Sequence, residues 1–360
     1  MSPVYWIVAL LTGAIGDFAE KNPSIKRIEN DKEVVLPNKF AVILLVAILV
    51  FVSGFRFYVG SDFGFYYLHV YTWQDLWDSI IHLDEPGIVL LSLIGNVIIN
   101  SNQTLIFICA LVTICLIVYT IYKRSPMFTL SMLLFLFLSV WHGSFNAVRQ
   151  YLAVAIIFAG YNYIIQRKLI KYLIIIFIAF LFHKTALIMV VPYFLLTRKP
   201  DFKQVIILLL GTLVILGSYD VVFDVIGSMK GQEIKITDEA YYSRSVSIFR
   251  IVVSIAPSIL YLFFGRKDEH TKEEVFFINA TLFNTFTSIA SMSSAYLARV
   301  DIYTSVYLII GYAFLINLIK DDKTRKIVIV SIILLFFLFW YYSIHSVYNL
   351  RNFNWAFEHV

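Results

Sequence analysis

Charge is what this sequence has least of. Only 15% of its 360 residues are Asp, Glu, Lys or Arg, whereas a soluble globular protein carries about a quarter. The hydrophobic share is 60%, concentrated in long Ile, Leu, Phe and Val runs, many of them close to the roughly 20 residues that a membrane-spanning helix needs. The scarcity of charge therefore excludes a soluble protein and indicates a polytopic helical membrane protein.

Cysteine clusters and the common nucleotide-binding or hydrolase motifs are missing as well. The two cysteines, Cys109 and Cys115, lie in one apolar run, which argues against a disulfide framework or a metal site. The sequence contains no P-loop, no Rossmann glycine pattern, no HExxH and no G-x-S-x-G. We therefore expect no metal and no cofactor. The net charge of +5 is small, and we attribute it to basic cytoplasmic loops rather than to nucleic-acid binding.

The apolar runs predict an all-α fold, a polytopic transmembrane helical bundle of about 11–13 membrane segments. No soluble domain fits between the runs, so we expect a single domain over residues 1–360. Two runs do not fit a simple crossing: residues 88–99 are too short, and residues 170–196 are interrupted by His183 and Lys184. We expect residues 88–99 to be re-entrant or to lie flat, and residues 170–196 to be a pair of half-helices that enter and return, which is stable only where the break is buried in protein or lines a cavity.

The basic loops predict the orientation of the bundle, because Lys and Arg accumulate on the cytoplasmic side. The basic stretches from the middle of the chain onward are residues 123–124, 166–171, 198–203, 266–272 and 320–326. We place these inside and assume that residues 88–99 do not cross. The polar residues that then converge at the outer face are Asp62, His142, Arg149, His183 and Arg299. This convergence predicts one external site.

Residues 142–186 are the stretch around which the site is expected. Arg149 opens an apolar helix, with Asn146 one turn before it and Gln150 beside it. A guanidinium binds phosphate in a bidentate fork, so Arg149 is a candidate ligand for a lipid diphosphate. The alternative is an arginine whose side chain merely anchors the end of the helix at the interface.

His183 and three further residues each have two interpretations. His183 stands between two apolar runs beside Lys184, and it is either a base or donor in a cavity or a packing residue. Arg299 is either a second anion ligand or an interfacial anchor. Asp62, a few residues before Tyr66, is either a site residue or a solvated loop carboxylate. The residues alone leave these alternatives open.

Together these residues resemble the EpsG family of bacterial polysaccharide polymerases, the Wzy-like proteins of capsule, exopolysaccharide and O-antigen synthesis. The motifs that carry the resemblance stand in family order along most of the chain. They are Gly60-Ser61-Asp62-Phe63-Gly64-Phe65-Tyr66, Glu85-Pro86-Gly87, Val148-Arg149-Gln150-Tyr151-Leu152-Ala153, Phe182-His183-Lys184-Thr185-Ala186-Leu187, and a late Arg299 with Tyr303. Each motif is short, and only the ordered set is specific. Phe63 departs from the family form of the first motif.

The resemblance implies a metal-independent glycosyl transfer at the outer face of the bacterial cytoplasmic (inner) membrane. The donor would be a growing glycan on undecaprenyl diphosphate, and the acceptor would be a lipid-linked repeat unit. The residues that it implies for catalysis are His183, Asp62, Arg149 and Arg299. The residues expected to bind substrate are Arg149, Gln150, Asn146, His142, Lys184, Arg299, Tyr303 and Tyr66.

The expected partners are the undecaprenyl-diphosphate-linked oligosaccharide, membrane lipid, and other components of polysaccharide export or chain-length control, with no nucleic acid. Two other functions remain open. One is a flippase or transporter of the same lipid-linked oligosaccharide, which needs a basic cavity but no base. The other is a membrane O-acyltransferase that acts on the glycan.

Overall fold

The fold was obtained as a computed structural model, which describes residues 1–360 except 30–31, 100, 230–247, 266–269, 292–296, 348–349, 351 and 359–360. Helices dominate the described residues. This is expected because backbone N–H and C=O groups in a bilayer must find their partners inside the protein. The predicted all-α polytopic bundle is confirmed.

The helices follow one another with short connections. Up to residue 180 they are α1 (Pro3–Lys21), α2 (Lys39–Gly54), α3 (Phe63–Leu68), α4 (Trp73–Ile81), α5 (Pro86–Ile99), α6 (Gln103–Arg124), α7 (Phe128–Phe137), α8 (Val140–Gly143), α9 (Val148–Ala159), α10 (Asn162–Ile165) and α11 (Leu169–Phe180). After a 3₁₀ helix (Lys184–Met189) they are α12 (Val190–Leu195), α13 (Phe202–Met229), α14 (Ile248–Phe264), α15 (Lys272–Ala290), α16 (Leu297–Ser305), α17 (Leu308–Asn317) and α18 (Asp322–Tyr342). A π-helical turn (Ser343–Val347) and a 3₁₀ turn (Ala356–Glu358) follow α18.

Several helices begin at a side chain that accepts hydrogen bonds from the first free N–H groups. Ser2 caps α1, Asn38 caps α2 and Asp321 caps α18. Thr271 and Glu274 form a capping box at the start of α15. Each of these polar residues stands within two helical turns of the start of an apolar run, so the local sequence itself sets where the helices start.

The two halves of the bundle share one core. α6 packs against α2 and α9, and α15 packs against α13, α14, α16 and α17. A continuous cluster of buried hydrophobic side chains extends from Tyr5 to Leu350 and includes residues of both halves. The site described below lies where the halves meet.

Three helices among the described residues are long and apolar enough to cross a membrane: Gln103–Arg124, Val148–Ile165 and Asp322–Ser346. The pair Ala298–Ser305 and Leu308–Asn317, bent by 49°, would be a fourth if it forms one span. α5 and α11 are among the shorter apolar helices. Residues 88–99 thus lie in one short helix, and the run 170–196 is broken at His183, as the sequence predicts. The re-entrant path of both stays a prediction.

A β-hairpin between α1 and α2 was not expected. Ile25–Glu29 and Lys32–Leu36 pair as antiparallel strands, with Ile25 opposite Leu36 and Glu29 opposite Lys32. Each strand has only five residues, and so short a run of mixed charged and β-branched residues does not distinguish a strand from a loop.

The helix α9 connects two chemically different ends of the bundle. Arg149 lies in its first turn. Beyond its last turn, the Tyr161 hydroxyl donates to Glu273 at 2.6 Å, and Glu273 also pairs with Arg124 at 3.6 Å. At about 1.5 Å of rise per residue, Arg149 and Tyr161 are about 18 Å apart along the axis. The basic residues 123–124 therefore lie at the end opposite Arg149, which is the separation that the predicted orientation requires.

Candidate functional site

Several predicted site residues meet around a carboxylate that the prediction did not include, Glu85. Glu85 is buried in the turn between α4 and α5. Its Oε2 accepts from Nη1 of Arg149 at 2.5 Å, and its Oε1 lies 2.9 Å from Nδ1 of His183. The backbone N–H of Lys184 also donates to Oε1 at 3.2 Å. We call Tyr66, Glu85, Arg149, His183 and Lys184 the Glu85 cluster.

The turn that carries Glu85 has an unfavourable backbone conformation. Leu83 and Glu85 have φ angles of +48° and +55°, in the left-handed region that non-glycine residues avoid. Such conformations cost of order 1–3 kcal/mol each and persist only where the surrounding contacts determine them. The backbone is therefore held in place to present the Glu85 side chain.

Gly87 docks this turn against the end of α11. Its N–H donates to the carbonyl of Leu181 at 2.9 Å. A Cβ at this position would lie 2.8 Å from Cε1 of Phe182 and 2.9 Å from the Leu181 carbonyl oxygen. Only glycine allows the two backbones to approach this closely.

The break after α11 is stable because the 85–87 turn satisfies the backbone groups that the break frees. His183 is extended, with φ −156° and ψ 120°, so the α-helix cannot continue through it. The carbonyl of Leu181 accepts from Gly87, and the N–H of Lys184 donates to Glu85. A helix break within an apolar protein is tolerated only with such partners.

Arg149 is held on three sides but is not fully buried. Besides its contact with Glu85, its Nε donates to the Tyr66 hydroxyl at 3.2 Å, and its guanidinium lies 5.6 Å from the centre of the Phe65 ring. Burial raises the pKa of Tyr66 to about 12, so its phenol stays protonated at neutral pH. A third of the Arg149 side chain, 33%, remains exposed and could contact a ligand.

The exposed part of Arg149 faces a cavity of about 320 Å³, a size that suits a small ligand or one end of a larger one. The cavity lies beneath α4, against α3 and the start of α5. Its wall combines two aromatic rings with several carboxylates and a few small or apolar groups. The lining residues are Phe65, Tyr71, Asp75, Asp78, Ser79, His82, Asp84, Glu85, Ile88, Val89 and Arg149.

Glu85 is ionised in this arrangement. Burial raises its pKa, but the hydrogen bond and charge of His183, the charge of Arg149 and the N–H of Lys184 together outweigh burial. The pKa of Glu85 therefore lies below its usual 4.5. The neighbouring Asp84 pairs with Nζ of Lys184 at 2.8 Å, so two successive carboxylates are each matched by a cation.

α16 is attached to the site by two hydrogen bonds. The side-chain amide of Gln150 donates to the backbone carbonyl of Arg299 at 2.7 Å. The Tyr303 hydroxyl shares a hydrogen bond of 3.1 Å with Thr185. The Arg299 side chain is half-buried. Gln150 and Tyr303, both predicted to bind substrate, are thus placed to hold α16 beside the Glu85 cluster.

A second buried carboxylate, Asp301, lies two residues beyond Arg299. It is 2% exposed. It accepts from Nε of Arg250 at 3.1 Å, from the amide of Asn284 at 2.9 Å, and from the hydroxyl of Ser288. This network of hydrogen bonds connects α14, α15 and α16. The sequence did not predict that a buried carboxylate would hold these helices together.

Asp62 and Asn146 are joined through the loop before α3. The N–H of Ser61 donates to Oδ1 of Asn146 at 2.9 Å, and the Ser61 hydroxyl donates to Asp62 at 2.9 Å. Gly60 has a φ of +100°, and a Cβ there would lie 2.6 Å from the Asn146 side-chain oxygen. Asn146 thus holds the loop from which α3, and with it Tyr66, begins.

His142 has a different environment from the Glu85 cluster. It is fully buried and packs against the rings of Tyr5, Trp141 and Phe145. The indole N–H of Trp340 donates to its Nδ1 at 3.2 Å. Its contacts are those of a packing residue, and its role in substrate binding stays a prediction.

Glu85 and Asp84 are the residues of the candidate site that the sequence did not predict. The signal was present, because Glu85-Pro86-Gly87 places an acidic residue directly before an apolar helix. The motif contributed to the family resemblance, but Glu85 was not predicted as a site residue because a single loop carboxylate is ordinarily solvated. Within the described ranges, no three His, Cys, Asp or Glu side chains are arranged to share a metal ion.

Comparison with known proteins gives one result that bears on this site. A family model described as the EpsG family matches residues 39–357, a range that includes the whole Glu85 cluster. No curated protein and no solved structure matches the chain.

Proposed function

Because the chain belongs to the EpsG family of Wzy-type polysaccharide polymerases, we propose that it joins lipid-linked repeat units by glycosyl transfer at the outer face of the bacterial cytoplasmic membrane. The donor is a growing glycan on undecaprenyl diphosphate, and the acceptor is a second lipid-linked unit. The observation that carries this proposal is the pairing of a partly exposed arginine with a histidine on one buried carboxylate, at the edge of a cavity.

Arg149 is the proposed ligand of the donor's diphosphate. As the acceptor oxygen bonds to the anomeric carbon, the bond from that carbon to the diphosphate oxygen breaks and leaves its electron pair on the diphosphate. A fixed guanidinium stabilises the charge that develops there. The arginine supplies this stabilisation without a metal. Arg299, held at its carbonyl by Gln150, is the second proposed cation.

His183 is the proposed base for the acceptor hydroxyl. Its Nδ1 is engaged with Glu85, so Nε2 is the ring atom that remains for substrate. A positioned imidazole can take the proton of a hydroxyl as that oxygen becomes a nucleophile. Asp62, at the start of the helix that carries Tyr66, is assigned to orienting the acceptor sugar, and Lys184 and Tyr66 to holding Asp84 and Arg149 in place.

The amphipathic pattern of α4 favours a lipid-linked substrate over a soluble one. One side of this helix carries exposed Trp73 and Trp77, followed by exposed Ile81, whereas Asp75 and Asp78 on the other side line the cavity. An amphipathic helix with tryptophan on its apolar face lies in the membrane interface. The cavity would then lie at the level of lipid headgroups, which is where the diphosphate of a lipid-linked glycan is found.

The first test is the length distribution of lipid-linked glycan in cells that carry Arg149→Ala. Arg124→Ala is the matched control, since Arg124 also pairs with a glutamate but lies at the opposite end of α9. Both variants are checked for membrane abundance. We expect Arg149→Ala to leave single repeat units outside the cell and Arg124→Ala to leave long chains.

The other outcomes distinguish the rival functions. Single repeat units that accumulate inside the cell would indicate a flippase. Long chains that lack acyl groups would indicate an O-acyltransferase. Long chains of normal composition in Arg149→Ala would show that the site is assigned wrongly.

A further inference from the structure

One polar atom of the Glu85 cluster, Nε2 of His183, has no hydrogen-bond partner in the part of the chain that the structure describes. Nε2 is buried, and no hydrogen-bond donor or acceptor reaches it among the described residues. The ring as a whole is 13% exposed. A buried polar atom without a partner costs free energy and calls for an explanation. Whether Nε2 lacks a donor or an acceptor depends on which of the two ring nitrogens, Nδ1 or Nε2, carries the proton.

Glu85 determines that choice. An ionised carboxylate has no hydrogen to donate, so the contact of 2.9 Å between its Oε1 and Nδ1 of His183 requires the hydrogen to be on Nδ1. In the neutral ring Nε2 then carries a lone pair and can only accept. The atom that lacks a partner is therefore an acceptor, and its missing partner is a donor.

We propose that Glu85 is the positioning residue of this site: it fixes His183 in the tautomer whose bare Nε2 accepts the proton of the incoming sugar hydroxyl. This proposal rests on the proposed function. Both oxygens of Glu85 are already engaged by Arg149, His183 and the N–H of Lys184. Glu85 acts through His183, since the hydrogen bond at one ring nitrogen of an imidazole determines which nitrogen carries the proton.

The proposed step needs only the Glu85 cluster, the two substrates and, at the end, water to take up the proton. The acceptor O–H bond breaks and its proton passes to Nε2 of His183, while the acceptor oxygen forms the bond to the anomeric carbon. The carbon–oxygen bond to the diphosphate breaks toward Arg149. The imidazolium that results lies against ionised Glu85, and it returns its proton to water when the product leaves.

The same carboxylate also restrains Arg149, which gives Glu85 two opposing effects. Its contact of 2.5 Å with Nη1 offsets part of the arginine's charge, so the donor's diphosphate competes with Glu85 for this guanidinium. Removing the negative charge therefore weakens the base but frees the arginine. If Glu85 only supported the fold, its removal would weaken both the base His183 and the binding of substrate by Arg149.

Access to Nε2 needs a local movement, because the atom is covered in the absence of substrate. Apo sites often complete their catalytic hydrogen bonds only in the complex. The backbone of the 83–87 turn, with its two left-handed residues Leu83 and Glu85, holds the carboxylate in place while the side chains around the ring adjust.

The test uses purified full-length protein in nanodiscs, with lipid-linked repeat units isolated from cells that lack the polymerase. We compare Glu85→Gln, Glu85→Asp, His183→Ala and the Glu85→Gln/His183→Ala double variant. The expected result for Glu85→Gln is a fall in kcat by about 10²–10⁴, the usual contribution of a general base. KM for the lipid-linked unit is expected to stay the same or fall, and Glu85→Asp should recover part of kcat.

The double variant separates positioning from support of the fold. We expect Glu85→Gln to cause no further loss of kcat once His183 is alanine, because its effect passes through the imidazole. Glu273→Gln is the matched control, since Glu273 like Glu85 pairs with an arginine, and it lies at the opposite end of α9, where it also accepts from the Tyr161 hydroxyl. It should retain the wild-type kcat.

A measurement on the wild type does not depend on how well any variant folds. The ¹⁵N shifts of the His183 ring, assigned by their loss in His183→Asn, report which nitrogen is protonated. We expect a protonated Nδ1 and a bare Nε2, and the reverse tautomer would overturn the proposal. A wild-type kcat in Glu85→Gln, or equal losses with and without His183, would overturn it as well. If wild-type protein does not extend repeat units at all, the proposed function itself has failed.

Discussion

Gln150 and Arg299 lie 149 positions apart in the sequence, and one hydrogen bond of 2.7 Å joins the side-chain amide of the first to the carbonyl of the second. Gln150 is buried and directly follows Arg149 on α9, whereas Arg299 lies on α16. This bond attaches the late helices to the Glu85 cluster. The distance between Arg149 and Arg299 therefore depends on the neutral side chain of Gln150.

Gln150→Ala should therefore weaken the fold and shorten the glycan together. Loss of the amide leaves the Arg299 carbonyl without this donor, at a cost of roughly 1–3 kcal/mol. Thermal unfolding in detergent and glycan length in cells measure the two effects. Gln74→Ala is the control for stability, because among the described residues the exposed Gln74 donates only to Asp78, four residues on in the same helix, and it should change stability by no more than about 0.5 kcal/mol. Equal unfolding temperatures for the two variants would contradict the role of Gln150.

Asp301→Ala should be among the most destabilising substitutions in the second half of the chain. It removes the carboxylate that pairs with Arg250 and receives Asn284, and breaking a buried pair costs about 3–5 kcal/mol. Asp322→Ala removes an exposed carboxylate that pairs with Arg325, and such pairs contribute about 0–1 kcal/mol. The comparison is made by thermal unfolding and by abundance in the membrane. A near-neutral Asp301→Ala would show that the network does not hold α14 to α16.

Glu85 should make stability depend on pH in the acidic range. Its pKa in the folded protein lies below the ordinary value of 4.5. The stabilisation by Arg149 and His183 is therefore fully present above pH 4.5 and is lost as the pH falls through the folded-state pKa. We expect wild type to unfold at a higher temperature than Glu85→Gln at pH 6, with a difference that shrinks below pH 4.5. A difference that persists undiminished at pH 3 would sink this assignment.

Gly87→Ala should damage the site without changing any polar group. The new methyl group would meet Phe182 and the Leu181 carbonyl at under 3 Å, which forces the 85–87 turn away from the break at His183. We expect short glycans and a lower unfolding temperature. Gly217→Ala on α13 is the control, because a Cβ there meets nothing within 4 Å. Wild-type chain length in Gly87→Ala would mean that the docking of this turn is dispensable.

Much of the architecture could be predicted from the sequence because each membrane helix has its own local sequence pattern. Apolar runs of spanning length and polar capping residues identify the helices. The ionisable pair His183 and Lys184 also marked the break in 170–196, since charge within an apolar run is costly. Arg149 was found for the same reason.

The contacts between distant segments could not be predicted in this way. Nothing near Glu85 in the sequence shows that Gly87 allows it to dock against residues 181–183. Asp301 lies two residues from Arg299 in the sequence, but its partner Arg250 lies in a different helix, so no local pattern indicates the pair. Short-range patterns predict helices. The site depends on contacts between residues far apart in the sequence, and these contacts cannot be predicted from the local patterns of a single sequence.

The turn at residues 85–87 supplies both the carboxylate of the site and the partners for an interrupted helix. A variant that disturbs it would leave unsatisfied backbone groups in an apolar environment and expose the newly made protein to membrane proteases. Cells would then contain little of the protein rather than a full amount of inactive enzyme. Genetic screens that score only the surface polysaccharide would not distinguish these outcomes, because loss of the protein and loss of its activity leave the same surface.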